Sequence, residues 1–132
     1  MHSPTFLWLT VLAAGPISAH ASDSASDPSG LWKPFPAIYK IHSGIVSDRT
    51  PATANDRMLT VQVNGKPAQE IFNSIGSDAP EGCSGAKGDR ERTKKGVLCT
   101  YTAQPGNPKN SHYRCWVGIN LQTGDGDVRV SC

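Results

Sequence analysis

Basic and aromatic side chains in the second half of the chain are best suited to binding chemistry. The run from Asp89 to Lys95 contains two arginines, whose planar forks bind carboxylates and phosphates through paired hydrogen bonds. Further along, an arginine and Trp116 stand two residues apart, and both residue types are over-represented at the energetic centres of protein interfaces. The predicted binding residues are cationic or aromatic: Arg90, Arg92, Lys94, His112, Arg114 and Trp116.

Each of these groups also has a plainer interpretation. The charged run precedes a predicted strand, so it is expected to be a solvated loop or hairpin end, with binding of an anion or an acidic partner as the alternative. Trp116 is a surface residue if the helix covers the other face of its strand, and a core residue if the helix covers the Trp116 side. The sequence alone leaves both choices open.

A hydrolase is a second functional hypothesis. A small ribonuclease or phosphodiesterase needs a general base, a general acid and cations around a phosphate. Residues of these types are present: His42, Glu70, Arg90, His112 and Arg114. However, no nucleophile elbow, phosphate loop or metal-binding histidine pair occurs, so each histidine is interpreted as an exposed residue without a catalytic role. No cofactor, metal site or catalytic residue is predicted.

The four cysteines lie in the second half of the chain: Cys83, Cys99, Cys115 and Cys132. An even number behind a signal peptide predicts two disulfides formed in an oxidising compartment. A zinc site is disfavoured because the spacings are wide and no Cys-x-x-Cys pair occurs. Of the three possible connectivities, the local pairing of Cys83 with Cys99 and of Cys115 with Cys132 is favoured, because each bridge would close a short loop.

The first residues predict export. Residues 1–21 contain an apolar run and end in Ala19-His20-Ala21, as a cleavable signal peptide does. The run is too short to span a bilayer, so a periplasmic or secreted protein without a membrane anchor is expected. The formal net charge of +2 is too small to favour nucleic acid as a partner.

Residues 22–36 are predicted to form a flexible leader. Its first part is small and polar, whereas Leu31 to Pro36 places two aromatics between prolines, which excludes a regular helix. This arm is expected either to pack over the core in an extended conformation or to form an exposed aromatic patch.

Arg57 to Gly76 predicts a strand followed by a helix. Alternation from Met58 to Val63 indicates a strand whose inward residues are Leu59, Val61 and Val63. Asn64-Gly65 is a turn signal, and Pro67 suits the first turn of a helix. Helical spacing then gives one apolar stripe, ended by Gly76 as the C-cap: Ala68, Ile71, Phe72 and Ile75.

The remaining apolar runs predict an antiparallel sheet. One strand is expected over residues 37–46 with a kink at Gly44, and residues 96–102 and 113–121 are expected to form a hairpin. A last strand is expected over residues 127–132, with Val128 and Val130 inward. Residues 37–132 are therefore predicted to form a single α+β domain, with one short helix packed on a four- to five-stranded, mainly antiparallel sheet and two disulfides.

Protein binding is the favoured function. A small rigid domain with protruding loops is typical of inhibitors and immunity-type proteins of exported enzymes, so the expected partner is another protein. A ribonuclease-like hydrolase and an envelope-associated structural protein are the alternatives.

Overall fold

A computed structural model describes residues 30–131 of the chain. The predicted signal peptide, residues 22–29 of the leader and Cys132 lie outside the described residues. The chain divides into two compact units, Met1–Pro34 and Phe35–Cys132. In the first unit, residues 30–34 form neither helix nor strand, and Leu31 and Trp32 are exposed.

The second unit is an α+β domain, as predicted. In chain order, its described elements are β1 (Ala37–His42), β2 (Met58–Asn64), α1 (Gly65–Ser74), β3 (Arg90–Lys94), β4 (Val97–Thr102) and β5 (His112–Asn120). The strands form one sheet in the order β1-β2-β5-β4-β3, and every neighbouring pair is antiparallel. A single 3₁₀ turn, Pro108–Asn110, lies in the connection between β4 and β5.

Helix α1 forms as its sequence predicts. Gly65 takes a φ of +70°, a value that glycine adopts without strain, and Gly76 follows the helix with a φ of +118°. Ala68 and Phe72 are completely buried, and the other two residues of the stripe pack against the same cluster. A ten-residue helix is unstable alone in water, so this burial is what holds it.

The core lies between α1 and one face of the sheet. Val63, Cys115 and Cys99 stand side by side on neighbouring strands and are all buried beneath the helix. The ring of Tyr113 meets that of Phe72 edge to face, with centroids 5.2 Å apart. Because alternate residues of β5 point to opposite sides, Trp116 lies on the face away from the helix.

The described disulfide joins Cys99 to Cys115, so the predicted pairing of Cys83 with Cys99 and of Cys115 with Cys132 is wrong. The reason is the hairpin register: β4 and β5 place these two cysteines directly opposite each other, with Cα atoms 4.0 Å apart. Such a pair can bridge without backbone movement. Cys83 is not a free thiol, and Cys132 lies outside the described residues.

The charged run, predicted as a solvated loop or hairpin end, forms strand β3, the first strand of a hairpin with β4. Its residues Arg90–Lys94 pair with β4, and Gly96 makes the tight turn between them with a φ of +77°. Strand β3 is an edge strand, and charged side chains are common at sheet edges because they discourage pairing with other chains.

Strand β2 is buried on both faces, whereas one buried face was predicted. Val61 and Val63 contact the core under the helix as expected. On the other face Met58 and Thr60 are also buried, and the Thr60 hydroxyl lies 2.9 Å from His42 Nε2. The expectation that His42 is exposed is therefore wrong, because the segment after β1 folds back over that end of the sheet. Strand β1 ends at His42, and the predicted extension through Gly44 turns away instead.

The stretch after β5 is not the predicted last strand. It makes one isolated bridge, from Gly126 to Ile119, and then runs over the face of the sheet opposite the helix. The Asp127 N–H donates to the Gly118 carbonyl (3.0 Å), and the Val46 N–H donates to the Arg129 carbonyl (2.8 Å). Arg129 also forms an ion pair with Asp56 (2.7 Å). Val128 and Val130 are half-buried without belonging to a strand.

Candidate functional site

The six predicted binding residues form two groups on opposite faces of the sheet. Arg90, Arg92 and Lys94 alternate along β3 on the side that carries the helix, since Arg92 is opposite Cys99 in the register. His112, Arg114 and Trp116 alternate along β5 on the other side. The two groups therefore cannot contribute to one site.

The arginines of β3 already hold an internal anion, the carboxylate of Asp78. Arg90 donates to it from Nε (2.7 Å) and from one terminal nitrogen (3.1 Å). Arg92 donates from Nε to the other carboxylate oxygen (2.7 Å). The Asp78 carboxylate thus takes the place that an external carboxylate or phosphate would need. Nothing in the local sequence of the loop that carries Asp78 marks it as this partner.

The same two guanidinium groups lie over the ring of Phe72. Their central carbons are 5.1 Å (Arg90) and 4.2 Å (Arg92) from the ring centroid, and Arg92 also donates to the Phe72 carbonyl (2.8 Å). Cations over an aromatic face are attracted to its negative centre. This cluster therefore joins the end of the helix to the edge of the sheet. Lys94 is exposed beyond it.

We expect the Asp78 cluster to make stability fall in strong acid. Hydrogen bonds from Arg90 and Arg92 lower the pKa of Asp78 to about 2 from its usual 3.8. A carboxylate with a depressed folded-state pKa contributes stability that is complete above pH 3.8 and is lost as the pH falls through about 2. Urea unfolding followed from pH 5 to pH 2 should show this loss, and Asp78→Asn should remove that component. An unchanged pH profile in the variant would contradict the role of Asp78.

The β5 group lies on a flat, partly exposed surface. Trp116 is flanked by Gln62 on β2 and Leu98 on β4, and Ile38 follows in the same row on β1. Arg114 lies next to Trp116, with its guanidinium carbon 5.8 Å from the ring centroid, and its Nε donates to Asn64 Oδ1 (3.1 Å). We call the surface formed by Ile38, Gln62, Leu98, Arg114 and Trp116 the Trp116 face.

A shallow hollow of about 190 Å³ lies beside Trp116. Its walls come from Gln62 and Thr60 of β2, from the neighbouring residues of β1, and from Val46. Lys40 also lines it, but the Lys40 ammonium donates to the carbonyls of Val46 and Asp48. The hollow is therefore bounded by apolar and aromatic side chains together with a few polar groups, of which Lys40 and Thr60 are hydrogen-bonded within the protein.

The two histidines of the hydrolase hypothesis are not brought together into a catalytic site. His42 is completely buried, with Nδ1 near the Ser43 carbonyl (3.2 Å) and Nε2 near Thr60, so a substrate cannot reach it. His112 is exposed, with Nδ1 near the Asn110 carbonyl (3.1 Å).

Asp89 interacts electrostatically with His112, but its carboxylate is hydrogen-bonded to other residues. Hydrogen bonds from the Ser84 hydroxyl and from the Ala103 N–H (2.8 Å) lower the pKa of Asp89. The Ser84 hydroxyl donates to this carboxylate and not to an imidazole, so Ser84 and His112 do not form a nucleophile–base pair.

The second hollow, of about 280 Å³, lies against the outer edge of β3 between Asp78, Ser84 and Tyr101. Both hollows are smaller than the roughly 300–1,000 Å³ that small-molecule sites usually occupy. Among residues 30–131, no group of three or more His, Cys, Asp or Glu side chains is placed to hold a metal ion.

No protein-family model, curated protein or solved structure matches the chain in comparisons with known proteins. The described residues contain no helix with the length and apolar character needed to span a bilayer.

Proposed function

We propose that this protein binds another protein through the Trp116 face. The observation that carries the proposal is the contact of Trp116 with Arg114 on the side of the sheet away from the helix. Trp and Arg are the residue types most enriched at interface centres, where a few residues supply most of the binding energy. An inhibitor or immunity-type role towards an exported enzyme is the specific form that we propose.

The rigidity of the scaffold supports this function. Trp116 lies on β5, which is paired with β2 on one side and with β4 on the other. The neighbouring Cys115 is cross-linked to β4. Side chains fixed in this way lose little conformational entropy when a partner binds. A flat surface beside a hollow of only about 190 Å³ suits a protein partner better than a small molecule.

The sign of the charge suggests the partner's surface. Arg114 belongs to the Trp116 face, and His112 lies two residues before it on the same side of β5. The partner's contact surface is therefore proposed to be apolar at its centre and acidic at its rim, where charge affects the association rate more than the affinity.

Replacing Trp116 by alanine tests the proposal. The mature, oxidised protein would capture its partner from the periplasmic and secreted fractions of its source, and titration would then give the affinity. Trp116→Ala should weaken binding about 30-fold or more, as hot-spot truncations do. The same substitution at the exposed Trp32 is the matched control and should leave the affinity unchanged.

Thermal unfolding separates a binding role from a structural one. Trp116 is half-buried, so its truncation should cost at most about 1 kcal/mol of stability. A core tryptophan would cost about 3–5 kcal/mol. Equal loss of affinity in both tryptophan variants, or a core-sized loss of stability in Trp116→Ala, would argue against this surface.

Export and a second disulfide complete the proposal. The described bridge between Cys99 and Cys115 is compatible with an oxidising compartment. We propose that the signal peptide is cleaved after Ala21 and that the remaining cysteines, Cys83 and Cys132, pair with each other. The intact mass of the exported protein, with peptide mapping under non-reducing conditions, tests both points. A mass that includes residues 1–21, or a different pairing, would contradict them.

A further inference from the structure

The two edge strands of the sheet, β3 and β1, differ in how far other segments cover them. Along β3, the Ala79 N–H donates to the Glu91 carbonyl (2.7 Å), and the Cys83 N–H donates to the Glu91 side chain (3.0 Å). The segment that carries these donors therefore covers this edge, and the charged side chains of β3 discourage further pairing.

Among residues 30–131, no segment covers strand β1 in a comparable way. Within that range, its last residue alone is bridged on the outer side, where His42 meets Pro51. The apolar side chains along it are open to solvent, with exposed fractions of 66% for Ile38, 73% for Tyr39 and 48% for Ile41. Phe35, just before the strand, is 48% exposed. A strand edge with apolar side chains on both faces is a template for pairing with another chain.

We propose that a second copy of this chain pairs with β1, antiparallel and edge to edge, around Tyr39. The two sheets then form one continuous ten-stranded sheet about a two-fold axis. Tyr39 of each copy then lies opposite Tyr39 of the other, Ala37 lies opposite Ile41, and Ile38 lies opposite Lys40. Of the residues that define the Trp116 face, this association uses only Ile38, and it does not involve Trp116 itself.

Charge favours a second copy over other occupants. Between Ala37 and Ile41 the only charged side chain is Lys40, and its ammonium is held by the carbonyls of Val46 and Asp48. Two such strands can meet without repulsion. Residues 22–29 of the leader are polar and small in sequence, so they are poorly suited to covering an apolar edge.

Geometry also favours a closed dimer. Within residues 30–131, β1 is the one sheet edge without a covering segment, and a two-fold pairing uses it in both copies. Such an isologous contact leaves no further edge for growth, so the assembly stops at two. The four exposed side chains present on the order of 450 Å² per copy, given the roughly 150–250 Å² that an aromatic residue can bury. Complete burial of these side chains in both copies would remove about 900 Å², an upper limit that with the paired backbone approaches the roughly 1,200 Å² of the smallest stable interfaces.

Sedimentation of the mature, oxidised protein tests the proposal. We expect a monomer–dimer equilibrium with a Kd of about 1–100 µM, typical of a modest interface. Tyr39→Glu and Tyr39→Lys should each raise this Kd about 100-fold or more, because like charges then face each other at the axis. An equimolar mixture of the two variants should dimerise again, since glutamate then faces lysine.

Leu121→Glu is the matched control. It introduces the same charge at an exposed apolar residue outside β1 and should leave the Kd unchanged. Hydrogen exchange of the β1 amides provides a second measurement, with protection that rises with protein concentration if copies pair.

Three outcomes would overturn the dimer. The first is a protein that remains monomeric up to about 1 mM, and the second is an equal loss of association in Leu121→Glu. The third is protection of the β1 amides at every concentration, which would indicate that the leader covers the edge. Because Trp116→Ala leaves β1 unchanged, a failure here is distinguishable from a failure of the proposed binding face.

Discussion

Replacing Gly118 by alanine should destabilise the protein by about 3 kcal/mol or more, as severe overpacking does. A Cβ at this position would lie 2.0 Å from the carbonyl oxygen of Asp127 and 2.8 Å from the Cα of Val128. Both atoms belong to the backbone, so no side-chain rotation can relieve the clash. Moving the segment away would break the hydrogen bond from Asp127 to the Gly118 carbonyl and disturb the ion pair of Arg129 with Asp56.

Gly106→Ala provides the matched control, because a Cβ there meets no atom within 4 Å. Urea unfolding followed by circular dichroism should give a midpoint near that of the native protein for Gly106→Ala and a much lower one for Gly118→Ala. If the two variants unfold at the same urea midpoint, the stretch after β5 does not lie against Gly118 as described.

Replacing Phe72 by alanine should cost about 3–5 kcal/mol, the range for deleting a buried aromatic ring. Phe72 is completely buried, anchors the short helix to the sheet and supports the guanidinium groups of Arg90 and Arg92. The loss of stability therefore has three sources: a cavity in the core, the loss of the contact that anchors the helix, and the loss of the ring beneath the two guanidinium groups. Chemical unfolding at pH 7 measures it.

The same substitution at Phe35 is the control, because that ring is 48% exposed, and it should cost much less. If Phe72→Ala does not fold at all, Phe72→Leu preserves most of the volume and should still be clearly destabilised, by about 1–2 kcal/mol. A Phe72 variant as stable as the Phe35 variant would contradict the assignment of this ring to the core.

The local patterns of the chain were sufficient to predict the central elements. The stripe from Ala68 to Ile75 has one strong period and clear signals at both ends, so helix α1 followed from local rules. The hairpin of β4 and β5 followed in the same way from alternation on either side of a turn. These segments need only neighbours in sequence to determine their conformation.

The disulfide could have been found by extending the hairpin argument. In an antiparallel pair, a turn fixes the register, and the turn between β4 and β5 places Cys99 opposite Cys115. A preference for short loops led instead to two local bridges. Once a hairpin is predicted, its register is stronger evidence for a cysteine pair than loop length.

Long-range contacts account for the remaining differences between the predicted and the observed structure. His42 is buried beneath the segment that follows β1 and is bonded to Thr60 of β2, and Asp78 meets Arg90 across the loop that connects the helix to β3. The pairing of β2 with β5, which places Gln62 beside Trp116, joins residues separated by the helix and two strands. Sequence patterns predict which residues are apolar, but not which distant segment covers them.

The route of the chain after β5 has a consequence for biosynthesis. The Asp56 carboxylate accepts a hydrogen bond from the nearby Gly44 N–H, but the bond of the Val46 N–H and the ion pair of Asp56 both need Arg129, which is synthesised after every strand of the sheet. The nascent chain therefore cannot complete these two contacts until Arg129 has been added, and distant contacts of this kind form slowly. The last steps of folding are thus expected to follow the synthesis of the sheet.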